Sequence, residues 1–138
     1  MPTHICSPPV RPGVPRSICL IEDGGLVPLT VRSDFGAEAK LQALIDTGSQ
    51  YTVIDEDLAK QLQLVPLRQE PIGSVNQPTL LTVYRAELEI PPLGIRELGE
   101  VLGGRLAGGK REALLGREQL RECRLDYDGP SGNVTLMR

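Results

Sequence analysis

Four residues near the end of the first third of the chain, Asp46-Thr47-Gly48-Ser49, combine an acid, two hydroxyls and a glycine directly after the apolar pair Leu44-Ile45. An acid that closes an apolar strand sits at the mouth of a core rather than in open water. It is suited to proton transfer, which needs a positioned carboxyl within reach of a reacting group. Other chemistries are poorly supplied. His4 is the only histidine, so Ser-His and Cys-His nucleophile systems lack their base. His4 and Cys6 alone do not make a closed metal site. The three cysteines, Cys6, Cys19 and Cys123, are odd in number and widely spread; they are expected as free thiols, with neither a disulfide framework nor a zinc-ligand spacing. No metal and no other cofactor is expected.

A second stretch completes a pattern. Leu114-Leu115-Gly116, followed by Arg117, lies downstream with room between for a helix, a hairpin and a strand. Asp-Thr-Gly after an apolar strand, then two apolar residues and a glycine, resembles the retropepsin-like aspartic proteases, and the likeness runs from about Leu26 to Met137. The resemblance implies an all-β closed barrel with one or two short helices that functions as a symmetric dimer. It implies an aspartic endopeptidase in which Asp46, Thr47 and Gly48 form the catalytic triplet. Thr47 would lock the two loops across a two-fold axis, Gly48 would admit substrate backbone, and Ser49 would hydrogen-bond the Asp46 carboxylate. Leu114, Leu115, Gly116 and Arg117 would support the loop from behind. Ile72, Gly73, Ser74, Val75 and Asn76 would form the flap over an extended peptide.

Peptide hydrolysis needs both a base and an acid, and two carboxyls about 3 Å apart supply them by sharing one proton. Only one Asp-Thr/Ser-Gly triplet occurs in the chain, so the second acid must come from a second copy across a two-fold axis. One departure from the family pattern concerns Arg117. The acid usual four residues after the catalytic Asp is replaced by Gln50, so Arg117 is expected to bond Gln50 neutrally or to find another acid. The alternative to a peptidase is a silent domain of the same fold that binds peptide or protein without cutting it.

The elements that must position these residues follow from local pattern. Leu26–Val31 and Lys40–Ile45 are strand-like around the turn residues Ser33-Asp34-Phe35-Gly36. Thr52-Val53-Ile54 is β-branched, and Asp55 can cap a helix carrying Leu58 and Leu62, with Pro66 as a stop beyond. Between Leu80 and Ile90 the even positions form the apolar face of a half-buried strand. Pro71 to Pro78 is expected to reverse the chain. Further strands are expected over Leu98–Leu102, Cys123–Asp128 and Asn133–Met137, the last two joined by Gly129-Pro130-Ser131-Gly132, with a short helix from Arg117 to about Glu122.

The 138 residues suffice for one core, and charge is near balance, with 15 Lys+Arg against 18 Asp+Glu. No basic field is present to hold nucleic acid, and aromatic residues are too few, at 3%, for base stacking. Residues 1–20, with prolines at 2, 8, 9, 12 and 15, are expected as a flexible arm, and 21–138 as the protease domain. No apolar run resembles a secretion signal or a membrane span, so a cytoplasmic location is expected; starting at Met1, the chain is read as its own product rather than one excised from a polyprotein. Three motif matches take bland readings: Gly104 to Lys110 as a flexible turn because Arg111 stands where a P-loop needs Ser or Thr, Asp34-Phe35-Gly36 as a hairpin turn, and Asn133-Val134-Thr135 as a strand start.

Overall fold

The computed structural model describes residues 2–106 and 111–138. Part of the Gly104–Lys110 turn therefore lies outside the described residues. Among the described residues, ten strands and three short α-helices run in the order β1 (Thr3–Ile5), α1 (Arg16–Asp23), β2 (Leu26–Arg32), β3 (Glu38–Ile45), β4 (Thr52–Asp55) and α2 (Glu56–Gln61). They continue as β5 (Val65–Ser74), β6 (Gln77–Ile90), β7 (Ile95–Gly104), β8 (Ala113–Leu115), α3 (Arg117–Leu120), β9 (Arg124–Asp128) and β10 (Asn133–Met137).

The main sheet has the order β2-β3-β8-β4-β7-β6-β5, and β2 also pairs with β6. That extra pairing, Thr30↔Glu89 to Arg32↔Glu87, closes six of the strands into a barrel. Arg32 reinforces the seam, contacting Glu38 at 2.8 Å, Glu87 at 3.3 Å and Glu89 at 2.7 Å. Inside lies a core of short aliphatic side chains, including Val27, Leu29, Val31, Ile54, Leu88 and Leu115, all about 1% exposed or less. The shortage of aromatic residues is met by many branched ones, which pack well on a pleated surface.

Local chemistry explains the elements that were expected. In the β2–β3 turn, Ser33 Oγ accepts from the amides of Phe35 (3.2 Å) and Ala37 (3.1 Å), and Gly36 takes φ 85°. Asp55 caps α2 by accepting from the Asp57 amide at 3.2 Å. The helix stops at Gln61, and Gln63 at φ 56° turns the chain before Pro66 is reached.

Three expectations change. Parts of the N-terminal arm expected as extended and solvated are packed, although Val10 remains 66% exposed. β1 pairs with β10, the Cys6 amide donates to Val134 O at 2.8 Å, and Cys6, Cys19 and Leu20 are at most 2% exposed. The prolines fall outside β1 and inside α1's approach, so they do not interrupt either element. The Pro71–Pro78 reversal is smaller than expected: β5 and β6 pair out to Ser74↔Gln77, leaving Val75 and Asn76 as the tip. Pro66 and Pro71 are tolerated because β5 is the edge of the sheet. Finally, the inward face of β6 holds from Tyr84 to Ile90, but Leu80 is 62% exposed, because this part of β6 belongs to the hairpin and not to the barrel wall.

Candidate active site

Asp46 follows β3 directly and is half-buried. β3 pairs in parallel with β8, Ile45 opposite Leu115, and the ladder continues one step as the Asp46 amide donates to Leu115 O at 3.0 Å. The acid is thereby held at the end of a barrel strand. Its Oδ1 accepts from the Gly48 amide at 3.0 Å. A Cβ added at Gly48 would lie 3.2 Å from that same oxygen, tighter than ordinary packing.

Gly116 is the tightest point of the site. A Cβ there would stand 2.2 Å from the Tyr51 carbonyl oxygen and 2.8 Å from the Thr52 nitrogen, both backbone atoms. The Leu114-Leu115-Gly116 segment thus crosses against the returning loop at a distance only glycine allows. The buried Thr52 hydroxyl completes the junction: it accepts from the Gly116 amide at 3.1 Å and donates to Gln119 Oε1.

Arg117 does not bond Gln50 through its side chain, and among the described residues it has no carboxylate partner. Its Nη1 donates to the Thr47 carbonyl at 2.8 Å, its amide to Ser49 O at 2.8 Å, and the Glu118 amide to Gln50 O at 3.1 Å. Gln50 contributes backbone alone, and its missing charge is replaced by carbonyl acceptors. Ser49 also differs from the role implied by resemblance: its Oγ donates to Tyr51 O at 2.6 Å rather than to the Asp46 carboxylate. The Thr47 side chain is exposed. Beside it opens a cavity of about 310 Å³ whose wall is largely apolar, formed by Leu120, Leu125 and Leu136 with Cys123, Arg117 and Arg121.

The structure brings Asp46, Thr47, Gly48 and Ser49 together with Leu114, Leu115, Gly116 and Arg117. Of the hairpin residues, Ile72 joins Leu114 in a satellite apolar cluster formed by Tyr51, Val53, Val83 and Leu102. This cluster lies on the face of β4 opposite to Ile54, which belongs to the main core. Gly73, at φ 107°, and Ser74, Val75 and Asn76 lie at the hairpin end, where Val75 is 98% exposed. Sequence reasoning passed over Tyr51, Thr52 and Gln119. Tyr51 had one available signal, as one of three tyrosines in a chain poor in aromatic residues, placed just after the acid loop. Among the described residues no group of three or more His, Cys, Asp or Glu is arranged to hold a metal ion, and no helix is long and apolar enough to cross a membrane.

With this geometry in hand, comparison with known proteins is direct. Residues 27–118 match the family described as aspartyl protease, a span that contains both hallmarks and most of the barrel. The chain belongs to the aspartyl protease family. Its fold is that of the retropepsin-like members. A retropepsin-like aspartic protease from Rickettsia conorii superposes with a TM-score of 0.58 at 14% identity, covering 97% of this chain and 89% of that one. Simian foamy virus (mac) protease is similar over 68% of this chain and 91% of its own, at 20% identity and a TM-score of 0.48. The retroviral protease-like domain of Ddi1 from Leishmania major is similar over 75% and 79%, at 14% identity and 0.45. No curated protein sequence matches the chain.

Proposed function

We propose that the protein is a homodimeric aspartic endopeptidase whose single active site contains Asp46 from each of two copies. The observation that carries this reading is the placement of Asp46: a half-buried acid fixed at both its amide and its carboxylate, at the end of a strand locked from behind by Gly116. Among the described residues no second acid is paired with this carboxyl. A two-fold axis beside the exposed Thr47 supplies one, and the apolar cavity next to Thr47 gives the second copy a surface to cover.

In the dimer the two carboxyls share a proton. The ionised one takes a proton from a water as it attacks the scissile carbonyl. The protonated one donates to the carbonyl oxygen, and the amine leaves after accepting a proton in turn. The β5–β6 hairpin acts as the flap, with Gly73 and the Val75-Asn76 tip at its end, closing on an extended peptide and excluding water. The satellite cluster offers that peptide an apolar wall. Nucleic acid and membrane play no part, and a reducing cytoplasmic setting suits the three free thiols.

A second reading, peptide binding without cleavage, is favoured by one observation: the Ser49 hydroxyl is spent on the Tyr51 carbonyl, so Asp46 lacks that support. Cleavage of a mixed peptide library by the wild type and by Asp46→Asn, from acidic to neutral pH, with sedimentation in parallel, decides between them. Cleavage by the wild type alone, from a dimer, is the expected result. A folded dimer that cuts nothing in either form favours the binding domain, and cleavage that survives Asp46→Asn overturns the assignment of the acid.

A further inference from the structure

Arg68 stands on β5 where the pairing with β6 slips between Pro66 and Arg68. The slip lets its guanidinium reach past β6 to β7. There Nη1 and Nη2 donate to the two carboxylate oxygens of Glu100 at 2.9 and 2.7 Å, a planar fork meeting a planar acceptor. Nε donates to Glu70 on its own strand at 2.8 Å, and Nη2 also donates to the Tyr51 hydroxyl at 3.2 Å.

Tyr51 belongs to the catalytic segment. Its carbonyl receives the Ser49 hydroxyl and faces Gly116, and its ring is 8% exposed within the satellite cluster against which Ile72 and Leu81 of the hairpin pack. The Arg68–Tyr51 bond therefore joins the outer arm of the hairpin to the loop that carries Asp46. Arg68 is 42% and Glu100 33% exposed in their side chains, and ion pairs this accessible add little to global stability. What the fork supplies is geometry. A lysine would keep the charge but lose the two-point contact and the simultaneous reach to Tyr51.

We propose that Arg68 is a positioning residue: clamped on Glu100 and bonded to the Tyr51 hydroxyl, it sets the β5 arm of the hairpin against the catalytic segment. The inference deepens the peptidase reading and rests on it for its kinetic consequence, since an unanchored arm would close poorly over substrate. The anchor itself is read without any activity.

The test combines hydrogen exchange across residues 69–81 with peptide cleavage for Arg68→Ala, Arg68→Lys, Tyr51→Phe and the reversed pair Arg68→Glu/Glu100→Arg. Arg68→Ala is expected to speed exchange of the hairpin amides roughly tenfold or more, given the strength of bonds to charged groups, while the unfolding midpoint barely moves. Arg68→Lys gives most of the same increase, Tyr51→Phe a smaller one, and the reversed pair restores part of the protection. In cleavage, KM rises in Arg68→Ala more than kcat falls. Hairpin exchange unchanged in Arg68→Ala, or an increase spread evenly over the barrel, overturns the proposal. If the wild type cuts no peptide but the exchange pattern is as expected, the anchor stands and the peptidase reading is what fails.

Discussion

The guanidinium of Arg117 rests on the carbonyl oxygen of Thr47, 2.8 Å away across 70 residues of sequence. A charge that elsewhere would need a carboxylate is here directed at a main-chain dipole, and the contact fixes the turn that follows Asp46. Arg117→Ala is expected to free that turn. Cleavage should fall about tenfold or more, since a charge-assisted bond contributes roughly 1.5–3 kcal/mol, with a weakened dimer in sedimentation. A tighter association in Gln50→Asp, with Arg117 unchanged, would show that the carbonyl contact is the weaker of two solutions; no change would show that it is sufficient.

Gly116→Ala should be among the most damaging single substitutions in the chain. The added carbon meets the Tyr51 carbonyl at 2.2 Å, and backbone on both sides must move. A loss of about 3 kcal/mol is expected, the upper part of the overpacking range, read as a lower midpoint in denaturant. A stable, active Gly116→Ala would mean that the two segments do not touch as described.

Thr52→Val removes a buried hydroxyl that serves both the Gly116 amide and Gln119. Each group left unpaired costs about 1–3 kcal/mol. Pairing the change with Gln119→Leu should recover part of the loss, because only one of the two partners then remains unsatisfied; calorimetry on the single and double variants measures this.

Burial pushes the Cys6 thiol up to about 11 from an ordinary 9.0, with the Leu136 backbone opposing and Cys123 adding slightly. The folded state therefore holds this proton more tightly than the unfolded chain. Its contribution to stability is fully present below pH 9.0 and is lost as pH rises toward 11. Cys6→Ala should flatten the decline in stability over that window, whatever it costs at neutral pH. An unchanged slope would refute the assignment.

On the proposed reading, cleavage depends on the Asp46 carboxyl. Asp46→Asn should lower kcat/KM by about 10³-fold or more, with the fold intact by circular dichroism. Cleavage that survives Asp46→Asn would argue for different chemistry.

Much of the barrel was legible because its turns carry their own chemistry. Ser33 with Gly36, Asp55 as a cap, and the Gly129–Gly132 reversal each announce an element within a few residues. The triplet and its distant glycine were legible for the same reason, being short and unusual. What failed to show were features decided by distant neighbours. β5 has two prolines and no apolar alternation, and becomes a strand because β6 is there to pair with it. Cys6 and Leu20 look like parts of a tail until they join the core cluster that holds Val134 and Leu136 of β10. The Ser49 hydroxyl has two acceptors within reach in any reading of the sequence, and only the path of the chain at Tyr51 chooses between them.

The parallel pairing of β3 with β8, Ala43 opposite Ala113, has a consequence in time. Contacts that close so long a loop are paid for in chain entropy before they yield anything, and they form slowly. Asp46 precedes Leu114, Gly116 and Arg117 in the chain and has no fixed surroundings until they arrive. Until then the acid belongs to a site that is not yet assembled.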